Sequence, residues 1–441
     1  MTTAVRRLRP PTTAIDAVGW LTLYLVLLFF VPSRFVIGQL GSAGAPSMLF
    51  GLGSLALWVF MFVGGLRRPA GSAQPVRIAL GVLLLCVGIS YVLAMAGPMS
   101  ADEVSPADVA LLTLASWAGT LLLTHDTTFE RDRLDTLVWR LAVCGGLIAL
   151  LGIVQVVTRE LWVDQLTIPG LASSPGYDLS GRGGFPRPAG TSIHPIEYGM
   201  LLAMLLPLVL HVGFHHVHRG RLVRWLPALA VVAVIPVTSS RSAYLGALLA
   251  LGVCVIGWAT RRRLLAAGVG AAGLLAMLVV TPNLFNATVG LFVGAADDPS
   301  VTSRVESLPI AGDFIARSPL FGRGLGTFLP KYRIFDNQYL VLLVTIGIVG
   351  TLAFLALGVT TAVVMLRLRW IVADEATRDL ALSLAAAVCA GFACLVMFDA
   401  FSFPMATGTL FLILGIAGAL WKLERGPTAA PFGRRVVRSP R

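Results

Sequence analysis

The chain has few charged residues for its length. Only 13% of its 441 residues are Asp, Glu, Lys or Arg, whereas 56% are hydrophobic, and soluble domains carry roughly 25% charged residues. This scarcity excludes a soluble globular protein and indicates a membrane protein. Acidic residues are outnumbered by basic ones, 22 against 34. The basic residues stand in short clusters between apolar runs, a distribution typical of membrane topology signals and not of a nucleic-acid-binding surface.

Cysteine is also scarce, and each cysteine falls inside an apolar run that we predict to span the membrane. None lies in a loop, where a disulfide framework or a cysteine metal site would normally be built. We therefore interpret the five cysteines as packing residues: Cys86, Cys144, Cys254, Cys389 and Cys394.

Long hydrophobic runs dominate the sequence, and they predict an all-α polytopic membrane protein. With ~20 residues needed to cross the hydrocarbon core, we expect about twelve transmembrane helices in residues 15–422, flanked by a cytoplasmic tail, 1–14, and a basic cytoplasmic tail, 423–441. Alternating charge in the joints places both termini in the cytoplasm. The expected spans are about 15–31, 48–65, 77–96, 107–124, 137–157, a sixth ending near His211, 225–238, 242–259, 264–281, 337–366, 380–398 and a twelfth ending at Trp421.

Two long polar loops are expected on the outer side of the membrane, at about 158–194 and 282–336. Loops longer than about 12–15 residues are usually functional or disordered, and the second one is too rich in Leu, Phe, Ile and Tyr to be a plain linker. We expect it to form short amphipathic helices that cover a cavity.

Arginines on the outer side oppose the topology bias and need another explanation. Arg187 lies in the first outer loop, Arg241 lies in a Ser-Ser-Arg corner between two apolar runs, and Arg304 and Arg323 lie in the second loop. The planar, permanently charged guanidinium group suits a phosphate, and this predicts a phosphate-binding layer at the membrane boundary. Contacts to lipid headgroups are the alternative.

Four segments in order carry a family resemblance: RPAGTSIHPIEYGMLLAMLLPL, SSRSAYLGALLALG, RSPLFGRGLGTF and DNQYLVLLVTIGIVG. Together they resemble the O-antigen ligase and polymerase family. The resemblance implies a metal-independent, inverting glycosyltransferase that needs no cofactor and acts on the outer face of the cytoplasmic membrane. Its substrates would be a polyprenyl-pyrophosphate-linked glycan donor and a glycan or lipid-linked acceptor. Arg187 and Arg241 would hold the pyrophosphate.

The chain departs from the ligase pattern where a His-Asn pair opens the helix after the long loop, because it has Asp336 and Asn337 there. This favours a polymerase-like member over a ligase. We expect Asp336 to act as the base that deprotonates the acceptor hydroxyl, with a plain helix cap as the alternative role. The remaining candidates for substrate binding are Arg304, Arg323, Asn337, Tyr339 and, for the acceptor, His194.

Other motifs receive simpler interpretations. Four histidines in eight residues, from His211 to His218, suggest a metal site, but no carboxylate or cysteine stands beside them in the sequence, so a polar joint is favoured. The GxGxG stretch at 322–326 predicts a tight re-entrant turn, and Asp399 predicts a helix cap. The competing functional class is a transporter or flippase of lipid-linked oligosaccharide, which could have the same number of spans.

Overall fold

The structure is a computed structural model, and it describes residues 16–65, 73–128, 130–173, 181–182, 185–293 and 299–425. This part of the chain is almost wholly helical, which confirms the predicted all-α polytopic fold class. The helices are α1 Ala17–Phe30, α2 Pro46–Val63, α3 Pro75–Ala96, α4 Ala101–Thr127, α5 Arg131–Thr158, α6 Pro195–His215, α7 Arg221–Val234, α8 Arg241–Gly257, α9 Thr260–Val280, α10 Pro282–Val293, α11 Pro299–Arg317, α12 Gln338–Thr345, α13 Gly347–Ile371, α14 Glu375–Cys394 and α15 Pro404–Arg425. The predicted tail residues 1–14 and 426–441 lie outside the described ranges.

Ten of the described helices are long and apolar enough to cross a membrane. Two shorter apolar helices, α1 and α8, join them. The predicted number of twelve spans stays a prediction.

The core lies around α6, α14 and α15. Almost every residue of α6 is buried, from Pro195 to Gly213, as expected of a helix that is apolar on all sides. Small residues let the helices approach closely: a Cβ on Gly199 of α6 would lie 2.8 Å from the Cβ of Ala243 on α8. In contrast, α9 is almost entirely exposed in the chain alone. The five cysteines are free, and all but Cys389 are buried, in agreement with a packing role.

The predicted tenth span, 337–366, is wrong as a single helix, because the backbone breaks at Ile346 between α12 and α13. Gly347 has φ of +68°, and a Cβ there would lie 2.3 Å from the Leu320 carbonyl oxygen. The glycine-rich segment, residues 322–326, packs against this break, where Gly324 N donates to Thr345 O at 2.8 Å. Only residues without a Cβ allow the two backbones to meet so closely.

The glycine-rich segment forms the tight turn predicted from GxGxG. Gly322, Gly324 and Gly326 have φ of +66°, +107° and +80°. A Cβ on Gly326 would lie 2.5 Å from the Pro106 carbonyl oxygen of α4. Helix α4 begins at Ala101, earlier than predicted, so Asp102 and Glu103 belong to its first turn and not to a connecting joint.

Two small antiparallel ladders were not predicted. Strand β1 Phe35–Ile37 pairs with β2 Leu171–Ser173, and β3 Gly181–Arg182 pairs with β4 Phe185–Pro186. The first ladder ties the segment after α1 to the segment after α5. We call the end of the bundle where α6, α8, α12 and α15 begin the arginine end, and the opposite end, with His211 and Asp379, the histidine end.

Candidate functional site

A tight corner between α7 and α8 forms the first part of the site. After a 3₁₀ turn, Ile235–Thr238, Ser239 adopts a left-handed conformation with φ of +47°, and α8 begins at Arg241. The Tyr244 hydroxyl donates to the Pro236 carbonyl at 2.5 Å and closes the corner. The corner predicted from Ser-Ser-Arg is therefore confirmed.

The N-terminus of α8 is not capped by a side chain. Ser240 occupies the N-cap position, but its hydroxyl bonds to the Ser242 hydroxyl at 2.9 Å and accepts no capping bond. The Ser239 hydroxyl is buried and has no hydrogen-bond partner among the described residues. A helix N-terminus presents unpaired N–H groups and the positive end of the helix dipole, so this corner favours an anion.

Arg187 is brought to the same corner by a rigid loop. Its Nε donates to the Thr238 carbonyl at 3.3 Å. The side chain of Gln155 on α5 holds the loop that follows Arg187. Its Oε1 accepts from Gly190 N at 2.8 Å, and its Nε2 donates to Gly190 O at 2.8 Å. Gln155 was not among the predicted site residues, although it is a single polar residue within the apolar run LIALLGIVQVV.

His194 caps the start of α6. Its Nδ1 accepts from Ile196 N at 3.1 Å. Burial, followed by the nearby charge of Arg187, lowers the pKa of His194 to about 4. The imidazole is therefore neutral at neutral pH, and it serves as a hydrogen-bonding group and not as a cation.

Glu197, one turn further along α6, is fully buried and joins α6 to α15. One carboxylate oxygen accepts from Ile193 N at 2.9 Å, and the other accepts from Met405 N at 2.8 Å and Ala406 N at 3.2 Å. The carboxylate thus caps the N-terminus of α15 and holds the His194 loop against it.

Asp336 is not the cap of α12, which corrects the alternative role considered for it. The cap is Asn337, whose Oδ1 accepts from Tyr339 N at 3.0 Å and Leu340 N at 3.3 Å. The half-buried Asp336 side chain makes no hydrogen bond to another described residue. Its carboxylate is available for chemistry.

A second carboxylate, Asp399, lies near Asp336. Burial is the main cause that raises the pKa of Asp399, the charge of Asp336 adds to it, and a hydrogen bond with Ser402 opposes it. Asp399 stands before the 3₁₀ turn Ala400–Ser402, but its side chain accepts no capping bond there, so the predicted cap is not formed. Two like charges close together favour keeping one of them protonated.

Arg304 and Tyr339 position these carboxylates. Arg304 donates to the backbone carbonyls of Asp336 at 3.2 Å and Met397 at 2.9 Å, and so holds the two carboxylate-bearing segments together. The Tyr339 hydroxyl donates to the Phe392 carbonyl at 2.7 Å. Both side chains were predicted to bind substrate, and the structure shows them in contact with the backbone.

The corner with Arg187 and Arg241, which we call the arginine corner, and the carboxylate pair Asp336 and Asp399 lie in one layer at the arginine end. Cys394 Sγ contacts the Ser242 carbonyl at 3.3 Å, which joins the end of α14 to the start of α8. The His194 ring lies 6.3 Å from the Phe403 ring, just beyond Asp399. Several separate segments of the chain thus meet around this layer.

Arg323 lies apart from this layer. Its guanidinium group pairs with the buried Glu103 carboxylate at 2.5 Å, and the Tyr332 hydroxyl donates to the same oxygen at 2.5 Å. It lines a separate cavity of about 660 Å³ between the end of α3 and the glycine-rich segment. The structure therefore does not bring Arg323 together with Arg187 and Arg241.

The histidine end holds a second polar cluster, which the sequence had suggested only as a joint. His211 and His215 lie inside α6, and Asp379 of α14 lies 2.8 Å from His211 Nδ1. The three side chains could hold a metal ion. However, Arg262 lies 3.2 Å from the other Asp379 oxygen and 3.4 Å from His215 Nε2, so a guanidinium cation already occupies this side of the cluster. No carboxylate stands beside the histidines in the sequence, but the fold supplies Asp379 from a distant helix.

Comparison with known proteins gives one family. A search of curated proteins found no match. The family model described as O-antigen ligase matches residues 226–355, a range that contains Arg241, Arg304, Asp336, Asn337 and Tyr339, whereas Arg187 and His194 precede it. The match confirms the resemblance seen in the sequence: residues 226–355 of this polytopic membrane protein are similar to the O-antigen ligase family.

Proposed function

We propose that the protein is a membrane glycosyltransferase that takes a glycan from a polyprenyl-pyrophosphate carrier and joins it to an acceptor hydroxyl. The reaction takes place at the arginine end, which we place on the outer side of the cytoplasmic membrane. The family match supports membrane glycan processing of this general kind. The donor, the direction of transfer and the residue roles are inferred from the geometry.

The observation that carries the proposal is the uncapped N-terminus of α8 beside two arginines. Its first N–H groups, which no side chain of the described residues caps, and the buried Ser239 hydroxyl lie with Arg187 and Arg241 at one corner. Such donors stabilise the negative charge that develops on a departing pyrophosphate, and they do so without rearranging during the reaction.

The acceptor needs a base, and Asp336 is the strongest candidate. Its carboxylate makes no hydrogen bond to another residue in the described part of the chain, and Arg304 donates to its backbone carbonyl. The raised pKa of the neighbouring Asp399 makes that carboxyl easier to protonate than an ordinary aspartate. His194 is the second candidate, because its imidazole stays neutral and lies beside the Asp399 segment.

A polymerase-like reaction is favoured over ligation. The ligase pattern that the sequence resembles has a histidine at the position of Asp336, and a carboxylate here changes the group that meets the acceptor. We therefore infer that the acceptor is another carrier-linked glycan and not a lipid A core.

The test is the turnover of purified lipid-linked donor by an Asp336→Asn variant. The amide keeps the shape of the side chain but cannot take a proton, so turnover should fall by about 10²–10⁴-fold. Because Asn337 and not Asp336 caps α12, the thermal stability should stay close to that of the wild type.

The matched control is Asp313→Asn, which changes an exposed aspartate on α11 of the same loop region. It should keep wild-type turnover. Near-normal turnover by Asp336→Asn would remove Asp336 as the base and move the role to His194. Passage of intact lipid-linked glycan across vesicles without its cleavage would instead support the flippase alternative.

A further inference from the structure

A second cavity opens at the arginine end, separate from the arginine corner. Its volume is about 220 Å³, and it lies between α1, α2, α4 and the segment that leads into α15. Neither Arg187, Arg241 nor Asp336 lines it. It begins at the segment after α1 and reaches down to Tyr24 and Trp117 in the helical bundle.

The lining is rich in hydroxyl groups. The side chains that supply them at the rim and walls are Ser33, Ser42, Ser47, Thr113 and Ser402. Ser116 lies deeper and is 1% exposed, and its Oγ has no hydrogen-bond partner among the described residues. A buried hydroxyl without a partner costs free energy that a polar ligand in the cavity would recover.

Aromatic rings complete the lining. Trp117 and Phe401 meet edge to face with their centroids 5.3 Å apart, and both line the cavity. Hydroxyl groups that form hydrogen bonds, set beside apolar ring faces, match the two kinds of surface on a pyranose. Arg34 is the one charged side chain among the described residues that line the cavity, and its guanidinium donates to the Val163 carbonyl at 2.6 Å. The hydroxyl groups and rings that make up the rest of the lining are uncharged, and they suit a sugar.

We propose that this cavity binds the sugar that carries the acceptor hydroxyl. The inference rests on the proposed glycosyl transfer and deepens it by naming where the acceptor lies. Ser402 connects the two sites, because it lines the cavity and its backbone N donates to the Asp399 carbonyl at 3.0 Å. The neighbouring Phe401 N donates to Gln338 Oε1 at 2.8 Å, two residues after Asp336. We therefore place one edge of a bound pyranose towards the segments that carry Asp336 and Asp399.

Ser47→Leu tests the proposal by filling the cavity from the side remote from the carboxylates. The probe is the free oligosaccharide released by mild acid from the carrier lipids of the host cell. Its KM as acceptor should rise roughly tenfold or more, while kcat at saturation and the KM of the lipid-linked donor stay within about twofold, because the lost contacts are to the acceptor alone. Ser105→Leu, an exposed serine of α4 outside the cavity, is the matched control and should behave as the wild type.

Binding is measured separately from turnover, by calorimetry in an Asp336→Asn background. The oligosaccharide should bind this background and its Ser105→Leu derivative equally, and binding to the Ser47→Leu derivative should be lost. Equal binding to both derivatives would overturn the acceptor cavity, as would a rise in donor KM with acceptor KM unchanged. Absence of turnover in the wild type would count against the proposed function and leave this binding comparison to decide on the cavity.

Discussion

The two ends of the helical bundle both concentrate polar groups, but they pair their charges in opposite ways. At the histidine end, Asp379 receives His211 on one oxygen and Arg262 on the other. At the arginine end, Asp336 and Asp399 bring like charges together, and Arg304 donates to backbone carbonyls. The first arrangement neutralises the charge of Asp379 within the protein. The second leaves the two carboxylates, Asp336 and Asp399, without a neutralising side chain among the described residues.

This difference separates a structural cluster from a site. Ionisable groups within a membrane protein are expensive, and they persist either as satisfied pairs or as functional groups. At the histidine end, the charge of Asp379 on α14 is paired with groups of α6 and α9. The arginine end has a helix N-terminus without a side-chain cap and a buried serine hydroxyl without a partner among the described residues. We therefore expect mutations at the two ends to affect different properties.

The largest effect on stability should come from Asp379→Asn. Removing one member of a buried ion pair costs roughly 3–5 kcal/mol, and we expect the lower part of this range because Arg262 keeps a second bond to Glu375. Thermal unfolding in detergent measures the loss, and turnover per folded molecule should not change. A large fall in turnover with normal stability would mean that the histidine end takes part in the reaction.

Arg241→Lys should have the next largest effect, and it should act on the donor. Lysine keeps the positive charge but loses the planar fork that matches a phosphate. Loss of one charge-assisted hydrogen bond predicts a fall in kcat/KM for the donor of roughly 10–100-fold with unchanged stability. Arg317→Lys, at an exposed arginine of the same end, is the control and should leave donor kinetics unchanged. An equal effect of both substitutions would point to general attraction of anionic lipids.

The hydropathy of the sequence was enough to predict most of the bundle but not its joints. Each apolar run became a helix, because an apolar run in lipid has no other way to satisfy its backbone. The break between α12 and α13 was missed, since VTIGIVG reads as one continuous run. Only the approach of the glycine-rich segment, which is distant in sequence, makes Gly347 a breaking point.

The site was predictable where a residue is unusual in its own segment. Arg241 in a tight corner between two apolar runs could be recognised from the sequence alone. The roles of Asp399 and Gln155 could not be predicted in this way, because they depend on partners far along the chain, although both residues stand out as polar groups beside or within apolar runs. Arg323 was predicted to bind substrate because it resembled the other outer arginines. In the structure it pairs with Glu103, which lies 220 positions earlier in the chain.

Asp399→Asn should change stability with pH in a defined direction. Burial and Asp336 raise the pKa of Asp399 in the folded protein, so the wild type gains stability from this group below the unfolded pKa of about 3.9 and loses it as pH rises through the folded pKa. The variant cannot ionise and should overtake the wild type as pH rises. Thermal unfolding of both proteins between about pH 4 and pH 8 measures this difference. A difference that does not vary with pH would show that Asp399 carries no strained charge.

The smallest expected effect is that of a chelator, which should leave turnover nearly unchanged. If Arg187, Arg241 and the N-terminus of α8 neutralise the leaving pyrophosphate, the reaction needs no divalent cation. The measurement is turnover of purified lipid-linked donor before and after EDTA treatment.

A loss that Mg²⁺ restores would place a metal among the carboxylates of the arginine end, since Mg²⁺ prefers oxygen ligands. A loss that only Zn²⁺ restores, and that is absent in His215→Gln, would place it in the cluster of His211, His215 and Asp379, where imidazole is the preferred ligand. Either result would contradict charge neutralisation by arginine alone and would end the simple division between a structural end and a functional end.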